Sequence, residues 1–120
     1  MITFVGIKPE RLLKQTGNNG IPYIEFVAAA YGHDFLEVDS FEEIPKDKPI
    51  IIFSDHGETN IRDFDFPDDS YYVIGHDWSE LDIAGHQSVY IPTVNTKRFR
   101  ALFGSQAASI IAWECYVRKL

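Results

Sequence analysis

Two stretches of this chain, PIIIF at Pro49–Phe53 and YYVIG at Tyr71–Gly75, are apolar without a break. A strand with one wet face would alternate apolar and polar residues. Unbroken runs of this length fit strands covered on both faces, and so a largely parallel sheet between layers of helix. ITFVGI at Ile2–Ile7 has the same β-branched character. The expected class is α/β, with a mostly parallel sheet flanked by helices on both faces. At 120 residues and 45% apolar content, residues 1–120 are expected to form one domain with a sizeable core.

Further elements follow from local signals. Pro9 opens a short helical piece over Glu10–Gln15, and the turn-rich TGNNG at Thr16–Gly20 leads into a second helix with Pro22 near its first turn. That helix, YIEFVAAAY at Tyr23–Tyr31, puts Ile24, Val27, Ala28 and Tyr31 on one face and closes at Gly32. Phe35–Val38 and Ile50–Phe53 read as strands with a helical turn at Phe41–Glu43 between them. A polar stretch, Ser54–Asp69, precedes the strand Tyr71–Gly75. An irregular segment then leads to a strand at Ser88–Ile91, and the last helix runs from about Leu102 to Arg118.

Several function classes are disfavoured. No apolar run reaches the about 20 residues that cross a bilayer, and the first residues lack the basic start of a secretory signal. A single cysteine, Cys115, excludes an internal disulfide and fits a reducing, cytoplasmic setting with the thiol buried. His33, His56, His76 and His86 lack the short paired spacing of metal ligands, so no metal is expected. TGNNG lacks the repeated pattern of a phosphate loop and reads as a turn and cap. The net charge of −7 argues against a broad nucleic-acid face. Most carboxylates fall between Asp34 and Asp82, however, while Lys97, Arg98, Arg100, Arg118 and Lys119 make the C-terminal stretch basic and leave room for a local anion site. For Arg118 and Lys119 the simpler expectation is a solvated helix end that complements the dipole.

In parallel sheets ligands favour the carboxyl ends of strands. Those ends are Ser54, Gly75 and Ile91-Pro92, each followed by irregular chain, and together they are expected to line one crevice. Of the histidines, His56 is the best placed for a general base, beside Asp55, Gly57 and Glu58; His76 with Asp77 comes second.

Three segments carry a resemblance. NNGIPYIEFVAAAYG, IIIFSDHGETNIRDFDFPDDSYYVIGHDWSEL and IPTVNTKRFRALFGSQAASIIAWE resemble, in that order, the motifs of the SPOUT (TrmH-like, trefoil-knotted) RNA methyltransferases. From Ala101 to Glu114 the register holds without a gap, with Ser105, Ala107, Ala108, Ile110, Trp113 and Glu114 at similar positions. The resemblance implies a C-terminal trefoil knot, with the last helix passing through a loop formed by residues of roughly 70–90. It also implies a homodimer through the first and last helices, and S-adenosylmethionine bound bent in the crevice, its adenine held mainly by backbone groups. The corresponding cofactor positions are Phe53, Ser54, Gly75, Ile91 and Leu102.

The departures bear on chemistry. The family's catalytic arginine falls at Phe26, and no arginine occurs from Leu12 to Ile61. The Glu and Gly after the strand-end glycine become Asp77 and Glu80, and Ser-Leu-Asn becomes Ala101-Leu102-Phe103. Methyl transfer to a ribose hydroxyl needs that hydroxyl positioned, its proton accepted and a phosphate held. Phe26 does none of these, so the catalytic residues are unassigned. Arg98 and Arg100 could supply a cation to RNA from another direction. Two readings stay open: an RNA methyltransferase relative using S-adenosylmethionine, and a non-catalytic knotted dimeric binding protein.

Overall fold

The computed structural model describes residues 1–8, 20–74, 85–94 and 104–120. Six strands form one sheet: β1 (Thr3–Ile7), β2 (Asp34–Val38), β3 (Ile50–Phe53), β4 (Thr59–Asn60), β5 (Tyr71–Ile74) and β6 (Gln87–Tyr90). Their spatial order is β2-β1-β5-β3-β6-β4, and every pairing is parallel. Register aligns Phe4, Tyr72 and Ile51 in one row and Val5, Val73 and Ile52 in the next. Side chains of successive rows point to opposite faces, and each row is fully buried. The unbroken apolar runs therefore feed two cores, which is the α/β class expected from them.

On one face lie helices α1 (Ile21–Ala30) and α2 (Gly104–Arg118), which pack on Phe4, Ile51, Phe53, Tyr72, Ile74 and Val89. The opposite core of Val5, Ile7, Val38, Ile52 and Val73 is covered by Ile44 and by Phe41 of the 3-10 turn Phe41–Glu43. The expected helix at Glu10–Gln15 lies outside the described residues. So do residues 75–84 and 95–103, on which the expected knot depends.

Helix α1 begins two residues earlier than its apolar pattern suggested, with Pro22 in its first turn where a missing N–H costs nothing. It closes as expected at Gly32, whose φ of +75° suits glycine. There His33 N–H reaches Ala28 O at 2.8 Å and Gly32 N–H reaches Ala29 O at 3.1 Å, the paired bonds of a Schellman cap. In α2 the buried residues Gly104, Ala108, Ile111, Ala112 and Cys115 recur on one face. Cys115 is buried and free, and burial pushes its thiol pKa up.

The expected polar stretch Ser54–Asp69 contains part of the core. Ile61, Phe64 and Phe66 are buried, and the Phe64 ring meets Phe53 at 5.8 Å and Phe66 at 4.9 Å. Single aromatics between carboxylates gave no periodic signal, and long-range packing decided the outcome. Phe66 sits at φ +54°, a region bulky side chains rarely occupy. It is held there by the rings around it and by the Arg118 guanidinium 5.3 Å from its ring centre. Arg118 Nη1 also donates to Phe64 O at 2.9 Å, and Lys119 Nζ meets Asp68 at 2.6 Å. These two cations thus tie the end of α2 to the segment before β5, a contact that helix-end electrostatics alone did not foretell.

Candidate functional site

The carboxyl ends of β5, β3 and β6 lie side by side. Phe53 is paired with Ile74 on one flank and with Val89 on the other. Ser54 continues the ladder, its N–H donating to Val89 O at 3.0 Å. The sheet order makes these three strand ends neighbours, the arrangement in which parallel sheets take ligands; Gly75, which the expected crevice also needs, lies outside the described residues. Phe53 itself is buried, its ring 5.4 Å from that of Tyr72, so what it offers the edge is backbone. Ile91 is half-buried against the same core, and Pro92 and Val94 after it are exposed. The edge is therefore small at Ser54 and mostly apolar along 91–94, where Thr93 is the one polar side chain.

A short strap crosses this edge. β4 follows β3 by five residues, yet it lies beyond β6, so residues 54–58 must pass from one side of β6 to the other. Glycine at position 57 is what allows it. A Cβ there would stand 2.4 Å from Val89 C, 2.6 Å from Val89 O and 2.8 Å from Tyr90 N. Three bonds hold the strap: His56 N–H to Ser54 Oγ at 3.1 Å, Gly57 N–H to Ser54 O at 3.0 Å, and Glu58 N–H to the buried Ser88 Oγ at 3.0 Å. In sequence Gly57 reads only as part of a motif segment and a neighbour of His56, and Ser88 only as a strand residue; their part in the strap shows in long-range contacts alone.

The sequence-derived site residues divide accordingly. Phe53, Ser54 and Ile91 come together at adjacent strand ends. Gly75 and Leu102, and the proposed RNA contacts Arg98 and Arg100, lie outside the described residues, as do His76 and Asp77. His56 stands on the strap, its side chain 59% exposed and its Nε2 3.8 Å from Asp55 Oδ2. His33 and His86 are elsewhere. His33 stacks on Phe4 with ring centres 5.3 Å apart, where burial chiefly, and Lys119 secondarily, holds its pKa below the ordinary value. His86 packs edge-on against Phe41 at 5.1 Å, before the start of β6. Among the described residues no group of three His, Cys, Asp or Glu side chains could hold a metal ion.

Away from these strand ends, α1 and α2 carry exposed aromatic side chains. Phe26 is 73% exposed and Tyr23 66%, with Trp113 and Tyr116 about half exposed on α2. The Tyr31 and Tyr116 rings meet edge-on at 5.8 Å across the two helices. Among the described residues no helix is long and apolar enough to cross a membrane.

No family model matches the chain, and no curated protein matches it. Solved structures do. One, from a study of the 2-OH methylation of C/U34 on tRNA, superposes with a TM-score of 0.77 at 20% identity, covering 99% of this chain and 96% of that one. The SpoU methyltransferase AviRb from Streptomyces viridochromogenes, in complex with AdoMet, gives 0.74 at 18% identity over 99% of this chain and 60% of its own. A TrmH/SpoU tRNA modifying enzyme from A. aeolicus gives 0.65 at 15% identity over 98% and 74%. The likeness runs over nearly the whole chain and establishes the fold.

Proposed function

We propose that this chain, which has the fold of the TrmH/SpoU RNA methyltransferases, is an S-adenosylmethionine-binding, knotted homodimer that transfers a methyl group to RNA. The observation that carries the reading is the row of strand ends β5, β3 and β6 strapped by residues 54–58, an edge with backbone polar groups beside an apolar rim. Such an edge fits an adenosyl group, which needs an apolar slot and a few directed hydrogen bonds. Phe53 and Ser54 would meet it through backbone, with Gly75, Ile91 and Leu102 completing the pocket. When bound, the cofactor supplies an electrophilic methyl group on a sulfonium. The chain's own part is to hold the acceptor hydroxyl in line, exclude water and take up a proton. Arg98 and Arg100 would hold RNA phosphate.

The knotted topology is carried by the likeness to the TrmH/SpoU fold over nearly the whole chain. The exposed aromatics support the homodimer: Tyr23 and Phe26 on α1 and Trp113 and Tyr116 on α2 leave apolar surface in solvent, which a second copy could cover.

A second reading, a non-catalytic binding protein of the same architecture, is favoured by one feature. The position of the family's arginine is filled by the exposed Phe26. Calorimetric titration with S-adenosylmethionine, paired with transfer of labelled methyl to RNA, separates the two. Binding with transfer supports the enzyme, binding alone supports the second reading with its pocket kept, and no binding at millimolar cofactor defeats the enzyme and leaves the second reading with a vestigial pocket.

A further inference from the structure

The geometry points to His56 as the general base of this methyl transfer, taking up the proton that Phe26 cannot; the inference rests on the methyltransferase reading above. Three independent features single it out. It lies on the strap just beyond the end of β3, the middle strand of the three that line the crevice. Its backbone is fixed on both sides, by its own N–H on Ser54 Oγ and by Gly57 and Glu58 bonded to Ser54 O and Ser88 Oγ. Gly57, pressed on the Val89–Tyr90 peptide, keeps that turn against β6. The side chain is 59% exposed, with the Asp55 carboxylate 3.8 Å from Nε2 to offset the positive charge it gains. Of the other histidines among the described residues, His33 and His86 are packed on Phe4 and Phe41, away from this edge.

The step balances without a further reactant. An oxygen lone pair of the RNA hydroxyl forms the new O–CH3 bond as the methyl–sulfonium bond breaks, leaving a neutral thioether. The hydroxyl proton passes to the imidazole, which returns it to water.

The test uses the full chain, with total RNA from cells lacking the protein as acceptor and S-adenosylmethionine as donor. His56→Ala should lower methyl transfer by about 10²–10⁴-fold, the range for a lost general base. Cofactor affinity measured by calorimetry should be unchanged, and imidazole added to the buffer should restore part of the rate. His56→Gln, which keeps a polar side chain on the strap, should be as impaired as His56→Ala. A variant that works at the wild-type rate, or a loss that imidazole does not restore, overturns the assignment. Wild-type protein that binds cofactor but methylates no RNA also overturns it and leaves the pocket standing. Wild-type protein that does not bind cofactor removes both.

Discussion

Replacing Gly57 by alanine probes the strap directly. The new Cβ would lie 2.4 Å from Val89 C, against an ordinary contact of 3.4 Å, and its other close neighbours are also backbone atoms of β6. No flexible side chain can move aside, so the loop or the strand must shift by about 1 Å. Overpacking of this kind costs about 1–3 kcal/mol. The shift would also loosen the bonds to Ser54 and Ser88, each worth about 1 kcal/mol. The expected destabilisation is roughly 2–4 kcal/mol, a fall in melting temperature of roughly 10 °C for a domain of this size. Gly32→Ala serves as the control. Gly32 has φ +75° but nothing within 4 Å of a new Cβ, so only left-handed strain applies, about 1 kcal/mol. Urea denaturation followed by circular dichroism measures both. If Gly57→Ala proves no more destabilising than Gly32→Ala, the strap is not pressed against β6 and the argument fails.

Arg118→Ala should cost about 1–2 kcal/mol in the same assay, from the lost bond to Phe64 O and the lost stacking on Phe66. His33 is held below its ordinary pKa by burial, so the unfolded chain binds its proton first. Stability should therefore fall as pH drops from about 6.5 toward the folded value, and His33→Phe should flatten that part of the pH–stability curve. Phe26→Asp should abolish dimerisation in light scattering while leaving monomer stability nearly unchanged, because the side chain is exposed; a dimer that persists would place the interface elsewhere.

Much of the sheet was legible because burial on two faces leaves an unbroken apolar run, as at Ile50–Phe53 and Tyr71–Ile74. The close of α1 was equally legible, since only glycine suits the left-handed turn at position 32. What escaped the reading was set by distant contacts. β4 is two polar-looking residues, Thr59 and Asn60, made a strand by pairing with Val89 and Tyr90. Phe64 and Phe66 were hidden among carboxylates and are core only because Phe53 and Tyr72 receive them. For the crevice, strand ends named Ser54 and Ile91 correctly as neighbours of one edge. Gly57, the residue that closes the strap over it, has a role set entirely by its fit against β6.

The central claim is that the strapped edge of β5, β3 and β6 is an adenosyl pocket. Titration of the wild-type chain and of Gly75→Val with S-adenosylmethionine and S-adenosylhomocysteine tests it most directly. The account predicts saturable binding of both ligands to the wild type, one per chain. Binding should be lost in Gly75→Val, where a branched side chain would fill the space the ligand needs at the end of β5. Absence of heat from the wild type at millimolar ligand, or undiminished binding by the variant, would contradict it.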